Sequence, residues 1–433
     1  MKISLFKQRR TRGSVLAVSL IVTAIIGFVL ASYISLIRYQ NVSVVHSQAW
    51  NAAIAVAEAG VEEAMAQLNP GVTAMPPNLS ANSWTLSDGK YYAPERKLGS
   101  TSYKVVIVPG AIPVIYSTGY TTVSYSAVPI ARTVRVTATN GILFSVAMAA
   151  QKTIDLLGNY INIDSFDSTD PLYSTNGKYD SKKARDKGDV ASNNGLTNSL
   201  SVGNADIKGK VRTGAFGLPS IGPQGSVGSS AWVDGGNLGI EPGWFADDFN
   251  LEYPDVLPPF NGGAAVPVGK NLSGTNYAYV LGTDNYQLSS LGMKTGEKML
   301  VAGNAVLYVT GDITMLGSSE IIIAPGASLK LFGGGASAVF TQVNTSGYAN
   351  SFSYYGLPTN TSLKWAGNSE YVGTIYAPSA DFTLAGGGKN NYDFQGSTVA
   401  STITLNGHFS FHFDESLASG ARRGYIASSW TEL

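Results

Sequence analysis

From Ser14 to Ile37 the chain carries no charged residue. A run of about 24 residues is long enough to cross a bilayer as a helix of roughly 30–36 Å. Lys2, Lys7, Arg9, Arg10 and Arg12 precede it with no acidic residue among them, and Arg38 follows. Basic flanks stay on the cytoplasmic side, so the N-terminus is expected in the cytoplasm and the rest of the chain outside. A secretory signal would have a shorter apolar core, roughly 7–15 residues, ending at a small-x-small site. The helical pattern does not stop at the membrane. Trp50, Ile54, Ala57, Val61, Ala64 and Leu68 recur at alternating spacings of four and three, which is one helical face. Asn69-Pro70 ends it. One helix over 14–68 is predicted, on the order of 80 Å long and greasy only in its first half.

Pro70, Pro76 and Pro77 then mark a surface loop reaching to about Ser100. Three strand-like runs follow, Ser102–Val108, Pro113–Tyr120 and Ala131–Thr139, each rich in β-branched residues. They predict a small antiparallel sheet over 69–140 that covers the amphipathic half of the helix, since both elements have an apolar face to bury. From about Gly141 the texture changes to short β-branched runs that end at glycine or asparagine, such as Ile154–Asn159, Ala205–Gly209, Asp312–Gly317, Asp381–Gly386 and Thr402–Gly407. The last two begin about 21 residues apart, a spacing that predicts a stacked β-solenoid over 141–420, with a β-sandwich as the alternative. Residues 216–270 interrupt it with Pro219, Pro223, Pro242, Pro254, Pro258 and Pro259 and read as a surface excursion. Residues 421–433 read as a C-terminal tail. The expected class is α+β, mainly β.

Composition narrows the function classes. There is no cysteine, which excludes disulfides and thiolate metal sites. Net charge is zero, which argues against nucleic acid as a partner. Charged residues make up only 13%, about half the usual share, and 49 glycines fit an exported, turn-rich chain.

Candidate chemistry is sparse. In His408–Asp414 the residues alternate strictly, so His408, Ser410, His412 and Asp414 share one strand face and Phe409, Phe411 and Phe413 the other. Two imidazoles and a carboxylate could hold a transition metal; the plainer reading is that the phenylalanines close the core and the polar face meets solvent or a loop. Asp164, Asp167 and Asp170 follow each other at spacings of three, as oxygen ligands for calcium or as self-capping turns. Asp247, Asp248, Glu252 and Asp255 are the carboxylates a polysaccharide-cleaving enzyme would use if they converged. Tyr354, Tyr355, Trp365 and Tyr371 could form a carbohydrate- or surface-binding face, although a core role is simpler. No nucleophile motif and no phosphate-binding glycine loop is present, so neither an enzyme nor a cofactor is expected.

The basic leader, Gly13, the uncharged run and the amphipathic continuation resemble a type IV pilin-like precursor. Arg12-Gly13-Ser14-Val15-Leu16-Ala17-Val18, with Ala57–Ala64 further on, resembles the N-terminus of PilX-type minor pilins and pilus-assembly proteins. The resemblance implies a leader over 1–13 and prepilin peptidase cleavage between Gly13 and Ser14. It also implies assembly with other pilin or pseudopilin subunits, and passage from the inner membrane to a pilus or the cell surface. Major pilins carry glutamate at the fifth mature position, where this chain has Val18; minor pilins tolerate the change. Tyr371–Pro378, Phe394–Ser397 and His412–Leu417, with Ile163–Ser168 as its opening, are similar to a C-terminal repeat domain common in bacterial proteins with such N-termini. That domain implies no activity. The rival readings are a permanently anchored surface adhesin and an exported β-helix enzyme acting on polysaccharide.

Overall fold

The computed structural model describes residues 12–433 except 70–82, 111, 159–160, 252, 273, 345–346, 367–369, 387–391 and 420–421. The chain divides into two units, Met1–Gly141 with Gly424–Leu433, and Ile142–Arg423.

In the first unit a single helix, Arg12–Leu68, runs for 57 residues, roughly 85 Å at 1.5 Å per residue. Leu16, Leu20, Phe28 and Val29 stand exposed on different sides of its first half. Among the described residues it is the one helix long and apolar enough to cross a membrane. Its second half lies on an antiparallel sheet whose centre is Thr101–Val108, Val114–Thr121 and Ile130–Ile142, paired in chain order. Three short strands between Thr85 and Leu98 extend one side. Arg422–Glu432 extends the other, next to Ile130–Ile142. The end of the chain is therefore a sheet strand and not a tail: its backbone satisfies an edge that would otherwise be bare. Asn69, at the end of the helix, clasps it by accepting from the Tyr425 N–H at 2.6 Å and donating to the Tyr425 carbonyl at 2.8 Å.

The buried stripe of the helix differs from the predicted one at its upper end. It runs Ala49, Ala53, Ala57, Val61, Ala64 and Leu68, against Tyr103, Val105, Ile107, Ile115, Val134 and Val136. Trp50 stays outside, its ring covered by the Arg132 guanidinium at 4.8 Å. The reason is close approach. A Cβ on Gly119 would lie 2.1 Å from the Ala53 carbonyl oxygen, and one on Gly60 would lie 2.2 Å from Ser117 Oγ. Backbones this near leave room only for alanine and glycine at the contact.

One charge sits in this contact. Glu63 accepts from Arg96 Nη2 at 2.7 Å, from the Tyr103 hydroxyl at 2.8 Å and from Trp84 Nε1 at 3.2 Å. Burial pushes the Glu63 carboxyl up, but the hydrogen bonds from Arg96 and Tyr103 outweigh it and hold the group below the usual range. The Tyr103 hydroxyl is pushed up to about 12 by burial and by its bond to Glu63.

The second unit is a set of parallel ladders. Lys298–Val301 pairs with Glu320–Ile323, which pairs with Gln342–Val343. Asn304–Val309, Ser328–Gly333 and Phe352–Gly356 form a second ladder, and Ile313–Met315, Ser337–Phe340 and Ser362–Trp365 a third. Each strand is thus bonded to the strand three further along, 22 residues on at Ser319 and Thr341. Asp381 and Thr402, the two run starts noted in the sequence, are aligned partners. Alternate residues point inward, so Met299, Val301, Ile321, Ile323, Leu307 and Leu331 share one core.

Stacking order departs from chain order. The first rung, Met148–Ala150, Ile154–Leu156 and Asn162–Phe166, is bonded on one side to Val190–Ser192, Leu200–Gly203 and Asp206–Lys208. On its other side it is bonded to Tyr392–Gly407 and Phe409–Asp414, near the end of the unit. From that first rung the chain builds outward to Gly239–Ile240 and Phe245–Ala246. It then crosses back through 247–267, held by the Tyr376 hydroxyl donating to the Pro254 carbonyl at 2.8 Å. It resumes with the antiparallel strands Val268–Leu272 and Thr275–Leu281 and returns rung by rung to the seam. The excursion read as 216–270 is shorter in the structure, because short strands between Ser220 and Ala246 pair in the ladders despite their prolines and glycines.

Two substitutions test the helix contact. Gly119→Ala should cost roughly 1–3 kcal/mol, the usual range for overpacking, because the new methyl meets backbone that cannot turn away. Gly60→Ala should cost less: the new methyl meets side chains and not backbone, Ser117 Oγ at 2.2 Å, Val105 Cγ2 at 2.7 Å and Tyr103 Cδ2 at 3.0 Å, and gains about 1 kcal/mol of helix propensity. Thermal unfolding that ranks them the other way would contradict the close-contact account. Glu63→Gln should destabilise at neutral pH. A depressed carboxyl stabilises above its unfolded value of about 4.3 and stops doing so as pH falls through the folded value. The gap between the melting curves of wild type and Glu63→Gln should therefore close in acid; a gap that persists there would show that charge is not the cause.

Candidate functional site

Two surfaces and one buried cluster gather the residues singled out by sequence. The first surface is the apolar half of the helix. Gly13 and Ser14 lie in its first turn, since the helix starts at Arg12, and residues 1–11 of the expected leader lie outside the described residues. Val18 is among the exposed positions that follow.

The buried cluster forms at the seam. Register places His412 beside Asp164. His412 Nδ1 lies 2.5 Å from Asp164 Oδ1, and Nε2 lies 3.7 Å from Asp393. The Tyr179 hydroxyl donates to Asp164 Oδ2 at 2.7 Å, and its ring stacks on the imidazole at 3.5 Å. Burial pulls the His412 ring down, but the flanking carboxylates Asp164 and Asp393 outweigh it and raise the group above its ordinary value.

The alternation read in His408–Asp414 is present over Phe409–Asp414, where both faces are buried; His408 lies in the bend before that strand and is half-buried. Phe411 stacks on Phe394 at 4.4 Å, and Phe394 on Tyr371 at 4.6 Å. On the polar face His412 is 2% exposed and Asp414 1%. Tyr179, from the loop after Phe166, covers the imidazole. Ser168 N and Ser416 N both donate to Asp414 Oδ1 at 3.1 Å. No group of three His, Cys, Asp or Glu side chains that could hold a metal ion occurs among the described residues. Of the three spaced aspartates, Asp164 is taken by His412 and Tyr179, Asp167 accepts from Thr169 N at 2.9 Å, and Asp170 accepts from Leu172 N at 2.8 Å. The last two are self-capping turns.

The second surface holds one of the four carboxylates considered for polysaccharide chemistry. Asp248 pairs with Arg212 at 2.9 Å in an open pocket of about 450 Å³. Asp247 accepts from Phe216 N at 3.3 Å, Asp255 is exposed, and Glu252 lies outside the described residues. The pocket also takes in Asp186, Asp189, Lys210 and Trp244, none of which the sequence had marked. Burial pushes the Asp189 carboxyl up, although the Lys210 N–H donates to it at 2.8 Å. The one available signal was the alternation Lys208, Lys210, Arg212 about Val211, which predicts three side chains on a common outer face.

The four aromatics considered for a binding face are all buried. Trp365 Nε1 donates to the Thr341 carbonyl at 2.7 Å and the Tyr354 hydroxyl to Asn360 at 3.0 Å. All four are core residues; the tips of Trp365 and Tyr354 are satisfied, whereas the buried Tyr371 hydroxyl has no hydrogen-bond partner among the described residues.

Residues 288–419 match a domain of unknown function (DUF7305), under a third of the chain. No curated protein matches in sequence. Among solved structures, the chain is similar to the competence-associated pilin ComZ from Thermus thermophilus. The identity is 11% over 88% of this chain and 97% of that one, with a TM-score of 0.23. It is also similar to the DUF3494 domain of an ice-binding protein from Shewanella frigidimarina. There the identity is 11% over 62% of this chain and 94% of that one, with a TM-score of 0.22. Scores this low carry no argument about fold or role.

The seam cluster yields a prediction about packing and charge. Phe411→Ala should cost roughly 3–5 kcal/mol, the range for emptying a buried aromatic site. His412→Ala should also be costly, up to roughly 3–5 kcal/mol, because it strips a buried carboxylate of its partner. A raised histidine stabilises fully below its unfolded value of about 6.5 and loses that effect as pH rises through the folded value. His412→Gln should therefore flatten the fall in melting temperature above neutral pH. An unchanged alkaline slope would show that His412 is not charged in the folded protein.

Proposed function

We propose that this chain is a pilin-like, membrane-anchored subunit of a type IV pilus or type II secretion-like filament, a minor component of PilX type. The observation that carries the reading is the helix: one continuous element, bare and apolar over Val15–Ile37 and packed on an antiparallel sheet below Ala49. A bare apolar half needs lipid or other helices around it, whereas the packed half does not. The N-terminus stays in the cytoplasm, the helix waits in the inner membrane, and prepilin peptidase cuts between Gly13 and Ser14. The helix then exchanges lipid for the helices of other pilin or pseudopilin subunits. The second unit is read as a β-solenoid head in which each rung takes about 22 residues. It is displayed at the pilus or cell surface in a tip, initiation or adhesion role. No catalytic role belongs to this reading.

Mass spectrometry of the protein isolated from filaments or membranes should find Ser14 at the N-terminus, and Gly13→Leu should leave the precursor uncut. Recovery of Met1 or Lys2 on the wild-type protein would sink the processing step and leave a permanently anchored surface protein.

A further inference from the structure

The pocket beside Trp244 is assembled by the ladder itself. Val190 is aligned with Val211, and Val211 with Phe245. Val211 is fully buried and Phe245 packs against the same core. Side chains alternate along a strand, so the preceding residues of the three strands, Asp189, Lys210 and Trp244, face outward in one row. Neighbouring strands lie about 4.8 Å apart, so an acid, a base and an indole stand side by side at that spacing. Arg212 and Asp248 close one side of the row and Asp186 lines another part of the rim.

The charges of this pocket cancel. Lys187, Lys210 and Arg212 face Asp186, Asp189 and Asp248. Arg212 is held by Asp248, and Lys187 by Glu415. No ion pair holds the Lys210 ammonium among the described residues. With those pairs made, the Lys210 ammonium and the carboxylates of Asp186 and Asp189 remain as donor and acceptors around one aromatic face. A hydroxyl group uses both kinds of partner, donating one hydrogen bond and accepting others. A ring dense in hydroxyls but apolar on one face suits an indole with polar groups at its edge. At about 450 Å³ the pocket falls within the usual range for small-molecule sites, about 300–1,000 Å³.

We propose that this pocket binds a neutral carbohydrate, with a sugar ring on Trp244 and its hydroxyls shared among Asp189, Lys210 and Asp186. The inference stands whether the helix enters a filament or stays in the membrane.

Saturation-transfer NMR on the full chain, held in a sugar-free zwitterionic detergent, tests it. The probes are cellobiose, maltose, lactose and N,N′-diacetylchitobiose at millimolar concentration, with digalacturonic acid as the charged control. At least one neutral disaccharide should bind, and more tightly than the control. Trp244→Ala and Lys210→Met should each weaken it about tenfold or more, or abolish it, with melting temperature unchanged. If Trp244→Ala fails to fold, Lys210→Met carries the test, since its stem keeps the packing and only the donor is lost. Absence of transfer to every neutral probe would overturn the proposal. So would binding that survives both substitutions, or preference for the acidic sugar.

Discussion

The backbone hydrogen bonds between Met148–Leu156 and Tyr392–Gly407 are the constraint on which the larger unit depends. Every strand in a parallel stack must find partners on both sides or leave its amides bare. The first rung cannot meet that requirement from its sequence neighbours alone. Its second side is met by strands some 250 residues further on, as His412 and Asp164 show at a separation of 248. The seam is also where the largest side chains stack, from Tyr371 through Phe394 to Phe411. Hydrogen bonding, aromatic packing and the His412 charge cluster thus meet at one joint.

The smaller unit solves a different problem. A helix that is apolar at one end must still seat its other end firmly on a sheet. It does so with small residues, Ala53 and Ala57 against Gly119, and with a single well-bonded carboxylate, Glu63. Large side chains would bury more area but would hold the two backbones apart. Dispersion at short range and a charge with three donors replace them here.

What could be read from the sequence follows the range of the information. The helix was legible because an uncharged run and a four–three periodicity are local. The three central strands of the small sheet were legible for the same reason. Trp50 was misplaced because periodicity names a stripe but not how closely the sheet approaches it. In Phe409–Asp414, though not at His408 in the bend before that strand, the alternation was right about which residues share a face. It was silent about the covered polar side, because Tyr179 reaches it from far away in sequence. The pocket was invisible for a third reason. Asp189, Lys210 and Trp244 come together only through register, and Trp244 lies in a stretch whose prolines and glycines mask short strands. Stacking order was illegible altogether, since nothing local tells a rung which end of the chain completes it.

That stacking order has a consequence for timing. A continuous stack can fold as it emerges, each new rung settling on the last. Here the earliest rung gains its second neighbour only when residues near 414 are available, so contacts of very high sequence separation must form late. Loop-closure entropy grows only slowly with length, so the delay costs little at equilibrium. Kinetically it leaves one open side of the strands Met148–Ala150, Ile154–Leu156 and Asn162–Phe166 exposed for as long as the rest of the unit takes to arrive. Completion of the unit is therefore tied to delivery of the residues up to Asp414.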